Sequence, residues 1–174
     1  MSAGVIIGID PGKTGAAVSL DREGHPIEWV AADHPDEGYT VKAGGPRIYS
    51  PHSMALWLTQ QQPIRLVIIE KQQSRPMEGR SSVFTTGYGF GLWVGICSAL
   101  GLRYRVVPPQ TWMRAVIGSK PAKGDKKARS IIEAQAQVPE LPLTWGRRRK
   151  PHDGLADAAL IATYGLQLIA GGDQ

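Results

Sequence analysis

The chain has 174 residues, 42% of them hydrophobic and 20% charged, with one cysteine and a formal net charge of +5. That length suits one domain spanning residues 1–174 with a core of its own, and that composition excludes a wholly disordered chain. The lone Cys97 excludes a disulfide framework or a cysteine zinc cage and suits a reducing cytoplasm, while no apolar run approaches the ~18 residues of a membrane span and the Met-Ser-Ala-Gly start lacks the basic segment of a signal peptide.

Gly4 to Asp10 is a short β-branched run ending in a carboxylate, which predicts a buried strand. Pro11 to Thr14 is turn chemistry, and residues 15–20 return as a second strand to make a hairpin. A third strand is expected over 26–31. Residues 33–52 are rich in Pro and Gly and predict an irregular excursion. A short helix over 53–61 should stop before Pro63, and Ile64 to Glu70 repeats the pattern of a buried strand closing on an acid. Residues 71–83 read as a mobile loop. The next helix, 84–100, carries Gly87, Gly91, Gly95 and Ala99 at every fourth position, a smooth stripe that another helix can approach. A strand over 103–107, a helix over 109–117, a basic helix capped by Gly124-Asp125 and running to 137, and a final helix over 152–170 complete the chain. This order predicts an α/β fold, one mixed five-stranded sheet with helices on both faces.

The charges are segregated. Residues 21–37 hold six acids and one base, a net of −5, whereas residues 103–150 hold twelve bases and three acids, a net of +9. One part of the surface should repel polyanions and another attract them, as in a protein that meets nucleic acid on one face. A solvated basic helix without a partner explains Lys123 to Arg129 equally well, but explains Arg147-Arg148-Arg149-Lys150 less well.

Four acids stand where acids are costly. Asp10 and Glu70 end apolar strands, and Asp153 and Asp157 share one helical face, with Asp157 inside an otherwise apolar segment. A buried carboxylate needs a compensating partner. For a cluster of them, a hard divalent cation with oxygen ligands, Mg²⁺ or Mn²⁺, is the fitting one. Taken singly, Asp10 could start a turn, Glu70 could pair with Lys71, and Asp153 could cap the last helix.

The segments Ile7-Gly-Ile-Asp10-Pro-Gly-Lys-Thr-Gly15, Val67-Ile-Ile-Glu70-Lys-Gln and His152-Asp-Gly-Leu-Ala-Asp157-Ala-Ala together resemble the RuvC-type Holliday-junction resolvases. Between them, Gly91 and Gly95, Pro108 to Gly118, and Asp125-Lys126-Lys127 continue the likeness in the right order over nearly the whole chain. The resemblance implies an RNase H-like fold and a homodimer, for which the helix bearing Gly87, Gly91 and Gly95 is the candidate contact. It further implies Mg²⁺-dependent paired nicks across a four-way DNA junction that leave 5′-phosphate ends. Asp10, Glu70 and Asp157 match metal-binding acids, with Asp153 the candidate fourth, and Lys126 matches a basic residue near the cleaved phosphate.

On this reading the DNA contacts are Lys71, Arg75, Arg80, Lys123, Lys127, Arg147, Arg148, Arg149 and Lys150. Gln73, Ser81 and Ser82 belong to a loop over 72–85 that reads the junction centre or, alternatively, is a disordered surface segment. Three departures stand out. Many members space the last two acids three apart, whereas position 154 is Gly here. A second base expected near Met113 is represented by the adjacent Arg114. A junction-wedging aromatic is replaced by Gln73, leaving Phe84 or Tyr88 as substitutes. The short, divergent form suggests a phage-type relative acting in the nucleoid or the infected cytoplasm. The rival readings are a nuclease for flaps, forks or RNA–DNA hybrids, a non-catalytic junction binder, and an actin/sugar-kinase-type ATPase, suggested by Asp10-Pro-Gly-Lys-Thr-Gly15 but disfavoured by length.

Overall fold

A computed structural model describes residues 4–42, 44–73, 79–118 and 126–172, without the side chains of Lys126 and Lys127. The expected contacts from Arg75, Lys123, Lys126 and Lys127, and the Gly124-Asp125 cap, therefore lie outside the described residues. The elements are β1 (Val5–Asp10), β2 (Ala16–Leu20), β3 (Pro26–Ala31), β4 (Thr40–Val41), β5 (Ile48–Tyr49), α1 (Pro51–Gln60), β6 (Ile64–Glu70), α2 (Arg80–Ala99), β7 (Tyr104–Val107), α3 (Pro109–Val116), α4 (Lys126–Gln137) and α5 (Asp153–Ala170).

The main sheet has the order β3-β2-β1-β6-β7. The first three strands form an antiparallel meander, and β1, β6 and β7 run parallel. Strand alternation divides the core in two. Ile6, Leu66 and Ile68 face α3, α4 and α5, whereas Ile7, Ile9, Val67 and Ile69 face Met54, Leu58, Trp93 and Cys97 of α1 and α2. Helices thus cover both faces, as the sequence predicts. Buried Cys97 has its thiol pushed up to about 12 by desolvation, in keeping with an inert core residue. Among the described residues, no helix is long and apolar enough to cross a membrane.

Three local readings change. The excursion at 33–52 contains the small β4–β5 ladder. The helix expected from residue 53 starts two residues earlier, because Ser50 accepts a bond from the Ser53 amide and Pro51 occupies the first turn. The polar loop is shorter than expected, since Arg80 to Val83 belong to α2.

The largest change concerns close packing. A Cβ built on Gly87, Gly91 or Gly95 would meet nothing within 4 Å, so intramolecular packing does not explain that stripe. The tight seam is on α5 instead. A Cβ on Gly8 of β1 would lie 2.2 Å from the Ala158 carbonyl and 2.3 Å from the Ala162 amide. One on Gly165 would lie 2.6 Å from Ile6. Gly154, Ala158, Ala162 and Gly165 therefore let α5 lie directly on β1.

Candidate active site

Parallel pairing of β1 with β6 sets Ile9 opposite Ile69, so the next residues, Asp10 and Glu70, end neighbouring strands on the same edge. Both follow the alternation of Ile6 and Ile68 and face α5. The carboxyl edge of parallel strands is where open α/β sheets place their sites.

The turn after Asp10 is pinned from below. Tyr39 donates its hydroxyl to the Gly12 carbonyl at 3.0 Å and Tyr49 donates to the Pro11 carbonyl at 3.3 Å. The Gly15 amide closes the turn on Gly12 at 3.0 Å. Residue 154, first-turn neighbour of Asp153, hangs over this turn. A Cβ there would sit 2.2 Å from the Thr14 carbonyl and 3.1 Å from Oδ2 of Asp10. No side chain fits at 154 without moving that backbone, so position 154 cannot carry an acid here.

Asp10, Glu70, Asp153 and Asp157 sense one another. Burial, then the charges of Glu70 and Asp157, and to a lesser degree Asp153, push the Asp10 carboxyl well above the ordinary carboxylate range, against a lowering bond from the Gly12 amide. Burial raises Glu70 to about 7, with Asp157 adding to the rise. The Trp112 indole N–H (2.8 Å) and the Gln72 amide (3.2 Å) both donate to Glu70 and partly stabilise its charge. Glu70 thus has neutral partners rather than Lys71, which is exposed. Among the described residues, no three His, Cys, Asp or Glu side chains already stand in an ion-holding arrangement.

Asp153 is not the cap of α5. His152 is, its Nδ1 accepting the Leu155 amide at 2.9 Å. The other ring nitrogen, Nε2, lies 3.1 Å from Oδ1 of Asp33, and Oδ2 of Asp33 accepts from Arg148 at 2.7 Å. The Arg148 guanidinium also covers the Trp145 ring, 4.7 Å from its centroid. Burial lowers the His152 pKa and Asp33 opposes that shift, so the cap is a neutral ring whose N–H points at Asp33.

Arg148, expected at the DNA, is half-buried with its guanidinium paired to Asp33, while Arg147, Arg149 and Lys150 are exposed. Asp33→Ala should therefore cost about 1–3 kcal/mol of unfolding free energy, by stranding the buried ring donor of His152. Urea denaturation measures this, and an unchanged midpoint would remove Asp33 from its supporting role.

Gln73, Arg80, Ser81 and Ser82 are exposed around the start of α2. That helix passes the Asp10 turn at Gly89, whose Cβ would lie 2.9 Å from the Pro11 carbonyl, so its first residues reach about 13 Å farther. Between that start and Gly89 stand Phe84 and Tyr88, stacked with centroids 6.3 Å apart and planes 2° from parallel, and 75% and 48% exposed. Tyr88 meets Tyr49 edge-on, and Tyr49 in turn stacks on Tyr39. The sequence reading missed Trp112, Gln72, Tyr39, His152 and Asp33. Of these, Gln72 lies two residues after Glu70 and His152 directly precedes Asp153, both acids already singled out.

No protein-family model and no curated protein matches the sequence. Solved structures do. Over 97% of this chain and 96% of the other, the fold is similar to Thermus thermophilus RuvC in complex with a Holliday junction substrate, with a TM-score of 0.62 and 15% identity. A second T. thermophilus RuvC structure matches with a TM-score of 0.59 and 18% identity over the same shares. The yeast mitochondrial Holliday junction resolvase matches with a TM-score of 0.59 and 16% identity, over 97% of this chain and 80% of that one. The chain has the fold of these resolvases.

Proposed function

We propose that the protein is a structure-specific endodeoxyribonuclease that resolves four-way DNA junctions. The observation that carries this reading is the convergence of Asp10, Glu70 and Asp157 on one sheet edge, within a fold shared with RuvC bound to a junction. A cluster of oxygen-only donors in which the neighbouring acids push Asp10 and Glu70 upward is chemically suited to a hard divalent cation. Asp10, Glu70, Asp153 and Asp157 would hold it. Mg²⁺ or Mn²⁺ there would supply an activated water and offset charge on the leaving 3′-oxygen.

The chain's own groups do the rest. Trp112 and Gln72 orient Glu70, the Tyr39–Tyr49 pair fixes the turn bearing Asp10, and His152 fixes the start of α5 beneath Asp153. Lys126 would neutralise the scissile phosphate. Arg147, Arg149 and Lys150 would bind flanking phosphates and give a salt-dependent affinity. The exposed Phe84–Tyr88 pair offers a face on which unpaired junction bases stack. Two copies, joined through the open glycine face of α2, would set two sites for opposed nicks.

A labelled four-way junction, a flap and a linear duplex, each incubated with Mg²⁺ and with EDTA, test the reading. Paired nicks in the junction that vanish with EDTA are expected. Preference for the flap would redirect the assignment to a broader branched-DNA nuclease. Binding of the junction without any metal-dependent cutting would end the enzyme reading.

A further inference from the structure

Strand β3 forms the edge of the sheet remote from β7, with no further strand beside it among the described residues. Between β3 and α1 lies a groove of about 610 Å³. Its apolar wall includes Ile27, Leu56 and Trp57, of which Ile27 is 57% and Leu56 47% exposed. Its rim carries Glu28, Asp36 and Glu37, and no Lys or Arg lines it. Three acids without a base repel a DNA backbone, so this is not part of a nucleic-acid face.

One main-chain group lacks the partner that a docked chain would bring. The Trp29 amide donates to the carboxylate of its own neighbour, Glu28, at 3.0 Å, a side-chain oxygen standing in for the carbonyl of an adjoining strand. Trp57, on the groove floor, is only 8% exposed, and its buried indole N–H has no hydrogen-bond acceptor among the described residues, so it reports on the groove without meeting an occupant.

We infer that this groove takes an extended segment of a partner protein, alternating basic and aliphatic residues, which adds a strand to the outer edge of β3. Main-chain pairing along Ile27 to Trp29 supplies the register, and alternate side chains divide between the two surfaces. Aliphatic ones cover Ile27 and Leu56, and basic ones meet Glu28, Asp36 and Glu37. A carbonyl of the segment displaces the Glu28 carboxylate from the Trp29 amide and frees that acid to pair with a lysine.

The probe is an acetylated, amidated hexapeptide of alternating Lys and Val, titrated into the ¹⁵N-labelled protein. Saturable shifts confined to the backbone of 27–30 and 36–38 and to the Trp57 indole are expected. N-methylating alternate peptide amides should weaken binding about tenfold, as should the exposed double change Asp36→Lys/Glu37→Lys, which should leave junction cleavage as it was. Equal binding of the methylated peptide would reduce the effect to unspecific charge attraction, equal binding by the double variant would remove the acidic rim from it, and either would overturn the inference. So would sedimentation showing that copies of the protein associate through this groove, because the occupant would then be a second copy.

Discussion

Asp10→Asn should abolish junction cutting, by about a thousandfold or more, equivalent to ~4 kcal/mol of transition-state stabilisation. Junction binding should survive, because affinity rests on phosphate contacts elsewhere. The same change should stabilise the metal-free protein. Asp10 is pushed toward its neutral form by burial and by Glu70 and Asp157, so its charge opposes folding. An amide of the same shape carries none. The metal-free variant should therefore melt higher than the parent protein.

The sign also fixes a pH dependence. A carboxyl raised from 4.5 to about 7, as Glu70 is, holds its proton more tightly in the folded than in the unfolded state. Its unfavourable contribution is complete above pH 7 and fades as the pH falls through 7 toward 4.5. Without metal, melting temperature should rise from pH 8 to pH 6, less steeply in Asp10→Asn, and added Mg²⁺ should raise it at pH 8. Retained cutting by Asp10→Asn would end the assignment. A flat melting profile in the absence of metal would show that the acids are not crowded.

Gly154→Asp, which restores the acid spacing common among the resembling resolvases, should be among the most damaging single changes. Its Cβ would fall 2.2 Å from the Thr14 carbonyl and 2.8 Å from Cα of Gly15, both backbone atoms without a rotamer to move. The helix start must lift from the hairpin, at a cost of about 3 kcal/mol or more. For a chain of this length that corresponds to a melting point lower by roughly 10 °C. Gly154→Ala should fall by a similar amount, which separates steric conflict from added charge. A Gly154→Asp protein that melts and cuts normally would refute the close approach of α5 to the turn.

The five strands of the main sheet were legible because each is a short, largely apolar run between turn residues, and Asp10 and Glu70 because each acid ends a β-branched one. The seam between α5 and β1 was not. Gly87, Gly91 and Gly95 make the more regular repeat, but regular spacing does not say what faces it. The real seam mixes Gly with Ala and depends on Gly8 in a strand almost 150 residues away. The role of His152 was hidden similarly, because Asp33 lies 119 residues from it in sequence and was grouped with the acidic surface. Arg148 looked identical to its three basic neighbours, and only its pairing with Asp33 sets it apart.

Because α5 lies on β1 without a cushion of side chains, the spacing between the aspartates and the strand acids is set by backbone against backbone. Thermal motion cannot widen that gap without parting the core itself. The acidic rim therefore inherits the stiffness of the sheet, and on the proposed function any freedom needed to accept a branched substrate resides outside this seam.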